Sequence, residues 1–475
     1  VLALLSSWIT VAHGAQNQKE IGMLSRTRTA PRARAPRPSA RLVPSVVVSM
    51  VLLSSGSFVI FPLIPALQST LGVSTAEIGY LAAAGFGAAL IAELLVAPAA
   101  DRGHARLMAV GGVLLVAASL ALSAAAGAGW QLIAARGLGG FDFGIFVIAA
   151  SALLVRSDPP RSGELLGRLG AAELAGIALG PLASGAAVAI ASPSVILAVS
   201  AACVLAALVP VLLGFREHRA VPALGDDPHP PTGGIAAGVA GIAAGVVGFD
   251  RAAEQAAEHT AEHTAEPIVT PTAAPSAPAS VPTTPRSSLD LLRRPHIVGI
   301  VLLYAAVMVP TGAYDGIWPR YMADLGAGPL LTAASYVLFA IPYVLLAAWA
   351  GRLADRRGGI AAYWRGLLVL LPIVGLYGII GNPWVATGMG FVESTGQALA
   401  VIGAGAAMAH AVDPARAGSA QGLLRGIGLA AATIAAAVSG LAYEAGGALL
   451  LFGGTGVAIV VIAVAGMLFV RRRAG

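Results

Sequence analysis

The chain has 475 residues, 57% of them hydrophobic and only 11% charged, with a net charge of +6. A soluble protein carries about 25% charged residues to cover its surface, so this composition excludes a water-solvated fold and requires lipid as the main solvent. Cys203 stands alone and Lys19 is the single lysine, which excludes a disulfide framework, a cysteine metal site and the lysine of a phosphate-binding loop.

Residues 1–42 read as a disordered basic cytoplasmic tail. The apolar opening at 1–12 lacks the preceding basic residue of a secretory signal, and residues 1–22 read as an over-extended start ahead of Met23. Arg26, Arg28, Arg32, Arg34, Arg37 and Arg41 follow among Pro and Ser, a composition that stays unfolded and on the positive, cytoplasmic side.

Twelve apolar runs come next, at 43–67, 77–98, 107–128, 130–154, 164–190, 193–214, 297–322, 328–350, 360–380, 384–409, 418–443 and 446–470. About 20 apolar residues cross a bilayer as a helix, and the absence of period-2 alternation argues against a barrel. The expectation is an all-α integral membrane protein of 12 transmembrane helices. Gly, with 59 residues, and Ala crowd these runs, and small residues let membrane helices approach closely.

With the N-terminus inside, the inner loops carry Arg102, Arg106, Arg156, Arg161, Arg352, Arg356, Arg357 and Arg416. Arg320 is the exception on the outer side. This bias predicts both termini in the cytoplasm of a bacterial inner membrane. Trp130, Trp318 and Trp384 fall at predicted outer edges, and Trp349 and Trp364 at inner ones, as interfacial belts.

The runs fall into two bundles, 43–214 and 296–470, separated by 215–295 and followed by a tail at 471–475. The separating segment is rich in Pro, Ala, Thr and Glu and reads as a disordered cytoplasmic linker. His259 and His263 stand four apart, a spacing that suits a metal on a helix, but the repetitive surroundings favour solvated linker. No metal or cofactor is expected.

The bundles echo each other. Asp101-Arg102 recurs as Asp355-Arg356, an offset of 355 − 101 = 254. Asp158 recurs as Asp413, an offset of 413 − 158 = 255, and at that offset Gly167 meets Gly422 and Ser184-Gly185 meets Ser439-Gly440. Parallel repeats of this kind build one large transporter class.

Three motifs stand on this frame. The first is the polar stretch Asp101, Arg102 and Arg106, repeated as Gly351, Asp355 and Arg356, with Ala97 where the second copy has its Gly. The second is Leu132, Arg136, Gly140 and Gly144 in helix 4. Arg136 lies about 9 Å deep, where it needs water or an anionic partner, or must snorkel to the interface. The third is Gly167, Gly176, Gly180-Pro181 and Ser184-Gly185 in helix 5, a smooth, kinkable face.

With these motifs the chain resembles the major facilitator superfamily over essentially all of 43–470. Through the third motif it resembles the drug–proton antiporter branch, with Ser184 where that motif has Gly. The resemblance implies the major facilitator fold, a cytoplasmic latch between halves at Asp101, Arg102, Arg106, Gly351, Asp355 and Arg356, and a central cavity lined by helices 1, 4, 7 and 10.

Five acids lie within predicted spans: Glu93, Asp142, Glu173, Asp315 and Glu393. An ionisable group in a membrane segment is by default functional. Asp142 and Glu393 sit about 18 and about 14 Å into helices 4 and 10, near the midplane where carriers bind substrates and ions. Asp315 lies closer to the outer surface, either in the cavity or in a rim ion pair with Arg320. Glu93 belongs to the inner end of helix 2, by the latch. Glu173 serves either proton relay or packing. Proton or substrate roles are therefore expected of Asp142, Glu393, Arg136, Asp315 and Glu173.

The expected function is a proton-coupled secondary transporter that exports small molecules, drug-like or metabolite, cations among them, by alternating access. The alternative is a proton-coupled nutrient symporter. An intramembrane enzyme lacks a nucleophile–base or metal set here, His410 being a boundary residue, and a channel lacks a repeated filter. The expected partners are substrate, protons and the bilayer, without nucleic acid, and the expected state is a monomer.

Overall fold

The computed structural model describes residues 41–101, 104–158, 161–215, 288–413 and 416–472. Residues 1–40 of the basic tail, nearly all of the linker with His259 and His263, Arg102 and Arg473 lie outside the described residues.

Among the described residues every regular element is a helix. α1 spans Leu42–Leu71, with a 3-10 turn at Phe61–Leu63 where Pro62 withholds a backbone donor. It ends at Gly72, whose φ of 66° is the left-handed cap that glycine favours. Then come α2 (Thr75–Asp101), α3 (Ala105–Ala124), α4 (Gly129–Ser157), α5 (Ser162–Ala187) and α6 (Pro193–Gly214). After the linker follow α7 (Pro295–Asp324), α8 (Pro329–Arg357), α9 (Gly359–Leu376) and α10 (Pro383–Ala411).

The last helical stretch, Ala417–Arg471, has 55 residues, about 80 Å at 1.5 Å per residue, far beyond a bilayer core of about 30 Å. It breaks at Gly446 and Gly447, the latter with φ 62°, a conformation open to a residue without Cβ. The two pieces, 417–445 and 448–471, are α11 and α12. By length and composition, nine of the described helical stretches can cross a membrane, with Ser419–Arg471, which holds both α11 and α12, counted once.

Packing follows the order of the chain. α4 lies between α2 and α3, α5 packs on α1, and α6 packs on α3; in the second bundle α10 lies between α8 and α9, and α7 packs on α11 and α12. Two seams join the bundles, α2 with α11 and α5 with α8. Glycines set the closeness: a Cβ at Gly180 would overlap the Ser55 carbonyl oxygen of α1, and one at Gly312 that of Ala432 on α11.

Two expectations from the sequence need correction here. The Asp355 motif is not a loop. α8 continues helical through Arg357, and Gly358, at φ 84°, ends it. Arg356 and Arg357 occupy the last turn, where positive charge meets the negative end of the helix dipole. Trp318 is not an interfacial belt residue. It is 8% exposed and its Nε1–H donates to Ser335 Oγ at 2.8 Å, whereas Trp130, Trp349 and Trp384 are exposed.

Candidate functional site

A cavity of about 440 Å³ lies between the two bundles, within the range of small-molecule sites. Its charged lining comes from both: Arg136 on α4 and Glu173 on α5, then Asp315 on α7, Glu393 on α10 and Arg425 on α11.

Arg136 donates through Nη1 to the Ser57 carbonyl oxygen at 3.2 Å, and its guanidinium lies 5.4 Å from the Phe61 ring centroid. Gly85 makes room for it: a Cβ there would stand 3.2 Å from Arg136 Nε. Across the cavity the Asp315 carboxylate is within electrostatic reach of Arg136. Asp315 therefore belongs to the cavity and not to a rim pair. Arg320 instead binds Asp324 one turn on, at 3.0 Å.

Glu393 is 1% exposed, and its Oε2 accepts from the Tyr377 hydroxyl at 2.8 Å. Tyr314, Trp318 and Tyr321 recur at i, i+4 and i+7 on α7, one helical face. They meet Tyr377, at the end of α9, in an aromatic cluster with Trp318–Tyr377 and Tyr314–Tyr377 centroids 5.2 and 6.0 Å apart. Phe452 on α12 backs it at 5.2 Å from Tyr377. Gln397, one turn past Glu393, donates to Thr311 Oγ1 at 2.7 Å and to the Val307 carbonyl oxygen at 3.2 Å, fixing α10 against α7.

Arg425 forms an ion pair with Glu93 of α2 across the seam, and Glu173 lies within its electrostatic reach. Glu93 stands 101 − 93 = 8 residues from the end of α2, and Arg425 stands 425 − 417 = 8 from the start of α11. Both lie about 12 Å from their helix ends. Glu93 thus serves this seam pair.

Asp142 does not line the cavity. Its carboxyl is fully buried with neither oxygen partnered, and it turns to α3, where a Cβ at Gly112 would stand 2.6 Å from Asp142 Oδ1. Arg136 and Asp142, six residues apart, occupy different faces of α4, as 100° per residue dictates. The expected partnership of Asp142 and Glu393 around one cavity is therefore corrected.

The helix-5 motif divides. Gly176 and Gly180 approach α1 within the same bundle, and Gly185 approaches Ala333 and Pro329 of α8 across the seam. Gly167 is buried on α5. The Ser184 hydroxyl donates to the Pro181 carbonyl oxygen, three residues back, at 3.1 Å. Of the latch residues, Asp355 and Arg356 are exposed and Gly351 is half-buried. Arg106 donates to the Leu212 carbonyl oxygen of α6, in its own bundle.

The profile of the Major Facilitator Superfamily matches residues 46–314. The chain belongs to the major facilitator superfamily. It is a multi-pass membrane transporter. No curated protein sequence matches. Solved structures share the fold at low identity. A bacterial homolog of the human lysosomal transporter Spinster, inward-facing and unoccupied, has a TM-score of 0.66 at 15% identity, covering 90% of this chain and 96% of that one. The nucleoside transporter NupG has 0.63 at 13%, covering 90% and 98%. The human organic anion transporter MFSD10 (TETRAN) has 0.56 at 19%, covering 90% and 99%.

Arg425 and the aromatic face of α7 escaped the sequence reading. The signals were present: an arginine inside an apolar span, and Tyr314, Trp318 and Tyr321 at helical spacing.

Proposed function

We propose that this superfamily member is a proton-coupled secondary exporter of small molecules, related to the drug–proton antiporters. It crosses the inner membrane of a bacterium twelve times, as two six-helix repeats with both termini and the linker cytoplasmic. The observation that carries the reading is the cavity between the bundles, with carboxylates and arginines supplied from both sides. Alternating access needs such a site at the junction of two repeats. Proton coupling needs carboxyls that are sequestered in one state and watered in another, and the cavity-lining carboxyls of Glu393, Asp315 and Glu173 support that reading.

Paired seams support the repeat. α2 with α11 and α5 with α8 exchange places when each helix of one half is replaced by its counterpart in the other. Asp101, Arg102 and Arg106, with Gly351, Asp355 and Arg356, form the cytoplasmic latch of the outward-facing state. In the described conformation Asp355 is exposed and without an ion pair among the described residues, while the opposite end of the α2–α11 seam is clasped by the Ala76 N–H donating to Glu444 Oε1 at 2.8 Å. That combination fits a carrier closed to the outside.

The test is transport by the purified full chain in liposomes, screened with dyes and antibiotics, with an imposed pH gradient and with the gradient collapsed. Gradient-driven movement out of the cytoplasmic-side compartment is the expected result. Accumulation in the opposite direction would favour the nutrient symporter.

A further inference from the structure

The charges around the cavity do not cancel evenly. Arg136 is answered by Asp315, and Arg425 by Glu93 and Glu173. Glu393 has no cationic neighbour among the described residues: the side chains that act on it are the phenols of Tyr377 and Tyr314. A buried carboxylate without a counter-charge must take up either a proton or a cation.

The surroundings of Glu393 discriminate between ligands. Tyr314, Trp318 and Tyr377 line the cavity beside it, with ring pairs inclined at 77° and 89°. Rings set at steep angles present both faces and edges, and a π-face attracts a positive charge within about 6 Å of its centroid. A strongly hydrated metal cation would demand several oxygen ligands, and no group of three or more metal-ligating side chains gathers among the described residues. A large, weakly hydrated organic cation satisfies both the carboxylate and the rings without losing a tight water shell.

We propose that the Glu393 end of the cavity is a subsite for a monovalent organic cation, an amine-bearing or quaternary compound with aromatic or aliphatic bulk. Its positive centre sits against Glu393 and its body against Tyr314, Trp318 and Tyr377. The Tyr377 hydroxyl, by holding Oε2 at 2.8 Å, orients the carboxylate, and Tyr377 is thus a positioning residue. The cavity volume of about 440 Å³ accommodates a drug-sized cation. The assignment rests on reading the cavity as the carrier's substrate site, but it does not depend on proton coupling.

The experiment is equilibrium binding to the detergent-solubilised full chain, with no membrane and no gradient. The probes are tetraphenylphosphonium and tetraphenylborate, which match in shape and differ in the sign of their charge. The expected result is saturable binding of the phosphonium, quenching tryptophan fluorescence, at an affinity at least tenfold above that for the borate. Glu393→Gln should weaken phosphonium binding at least tenfold while leaving borate binding unchanged or stronger, since the charge that repels the anion is gone. Glu393→Asp should recover part of the loss. Tyr314→Leu should weaken the phosphonium about five- to tenfold, a readout that survives if the glutamate variant fails to fold. Tyr377→Phe keeps the ring and should cost only about two- to fourfold. Equal affinity for the two ions, or unchanged phosphonium binding in both Glu393→Gln and Tyr314→Leu, overturns the proposal. A carrier that binds the phosphonium through Glu393 yet ignores a pH gradient would overturn proton coupling and leave the subsite standing.

Discussion

Gly440 on α11 packs directly on the backbone of Thr75, the first residue of α2, where a Cβ would overlap the Thr75 carbonyl oxygen. The same relationship joins Gly185 on α5 to Pro329, the first residue of α8, where a Cβ would stand 2.8 Å from the Pro329 carbonyl oxygen. The two contacts are related by the sequence repeat, since 440 − 185 = 255 and 329 − 75 = 254. Ser184 and Ser439, just before these glycines, also make the same bond, each hydroxyl donating to the carbonyl three residues back at 3.1 and 2.7 Å. One end of each seam therefore closes on backbone, joined at Gly185 by the short Ala333 Cβ, with no flexible side chain to yield.

The first prediction follows from that closeness. Gly440→Val places carbon where α2 already stands, and backbone cannot shift as a flexible side chain can. The α1–α2 end of the seam should open. Paired spin labels at Ser69 and Ala445, both exposed, should report a longer distance in the variant. An unchanged distance distribution would show that the contact does not hold this end shut.

The second concerns Glu93 and Arg425, which bridge the same seam near its other end with side chains 16% and 23% exposed. Removing one partner of a largely buried pair leaves the other charge uncompensated. Arg425→Met should therefore destabilise the protein by about 3 kcal/mol, because it strands Glu93 and Glu173 together. Thermal unfolding in detergent measures this. The exchanged double variant Glu93→Arg with Arg425→Glu should recover more than half of the loss. If the double variant is no better than the sum of its singles, the two charges do not act on each other.

The sequence carried the fold because hydrophobic runs and loop arginines are local signals. Most observed helix ends fall within a few residues of the expected ones, for instance Pro193–Gly214 against 193–214, while α8 runs on to Arg357 against an expected end at 350. The break between α11 and α12 shows as the pair Gly446-Gly447. The site was legible only in part. Arg136, Asp315 and Glu393 stand out because charge in an apolar run is costly wherever it points. Direction was the missing quantity. Depth alone could not tell that Asp142 turns toward α3 while Glu393 turns into the cavity. Nor could it tell that Arg320 is satisfied by Asp324 four residues later, which frees Asp315 to face Arg136.

The third prediction tests sidedness. In a Cys203→Ser background, which removes the exposed native thiol, single cysteines at Ser69 and Ser157 should behave oppositely. Ser69 lies near the end of α1 and Ser157 ends α4, on opposite sides in the proposed topology. In intact cells an impermeant thiol reagent should label position 69 and spare 157, and permeabilised cells should label both. The reverse pattern would turn the arginine-rich ends outward and invert the proposed topology.

The last prediction separates the two deep acids. Asp142 and Glu393 are both buried and lie at similar depths, and from sequence they are equivalent candidates for coupling. In the structure only Glu393 reaches the cavity, where it also has the Tyr377 hydroxyl. Asp142 has no partner for either oxygen. A buried, unpartnered polar group costs free energy that an apolar or neutral replacement can remove. Asp142→Asn should therefore leave gradient-driven transport within about twofold of wild type, and should hold or raise the unfolding temperature. Glu393→Gln should abolish gradient-driven transport with little change in that temperature, since it keeps the side-chain shape and loses the exchangeable proton. Both variants need only one liposome assay and one melting curve. Loss of coupled transport in Asp142→Asn, with Glu393→Gln unaffected, would move the proton site off the cavity and onto the α3–α4 contact.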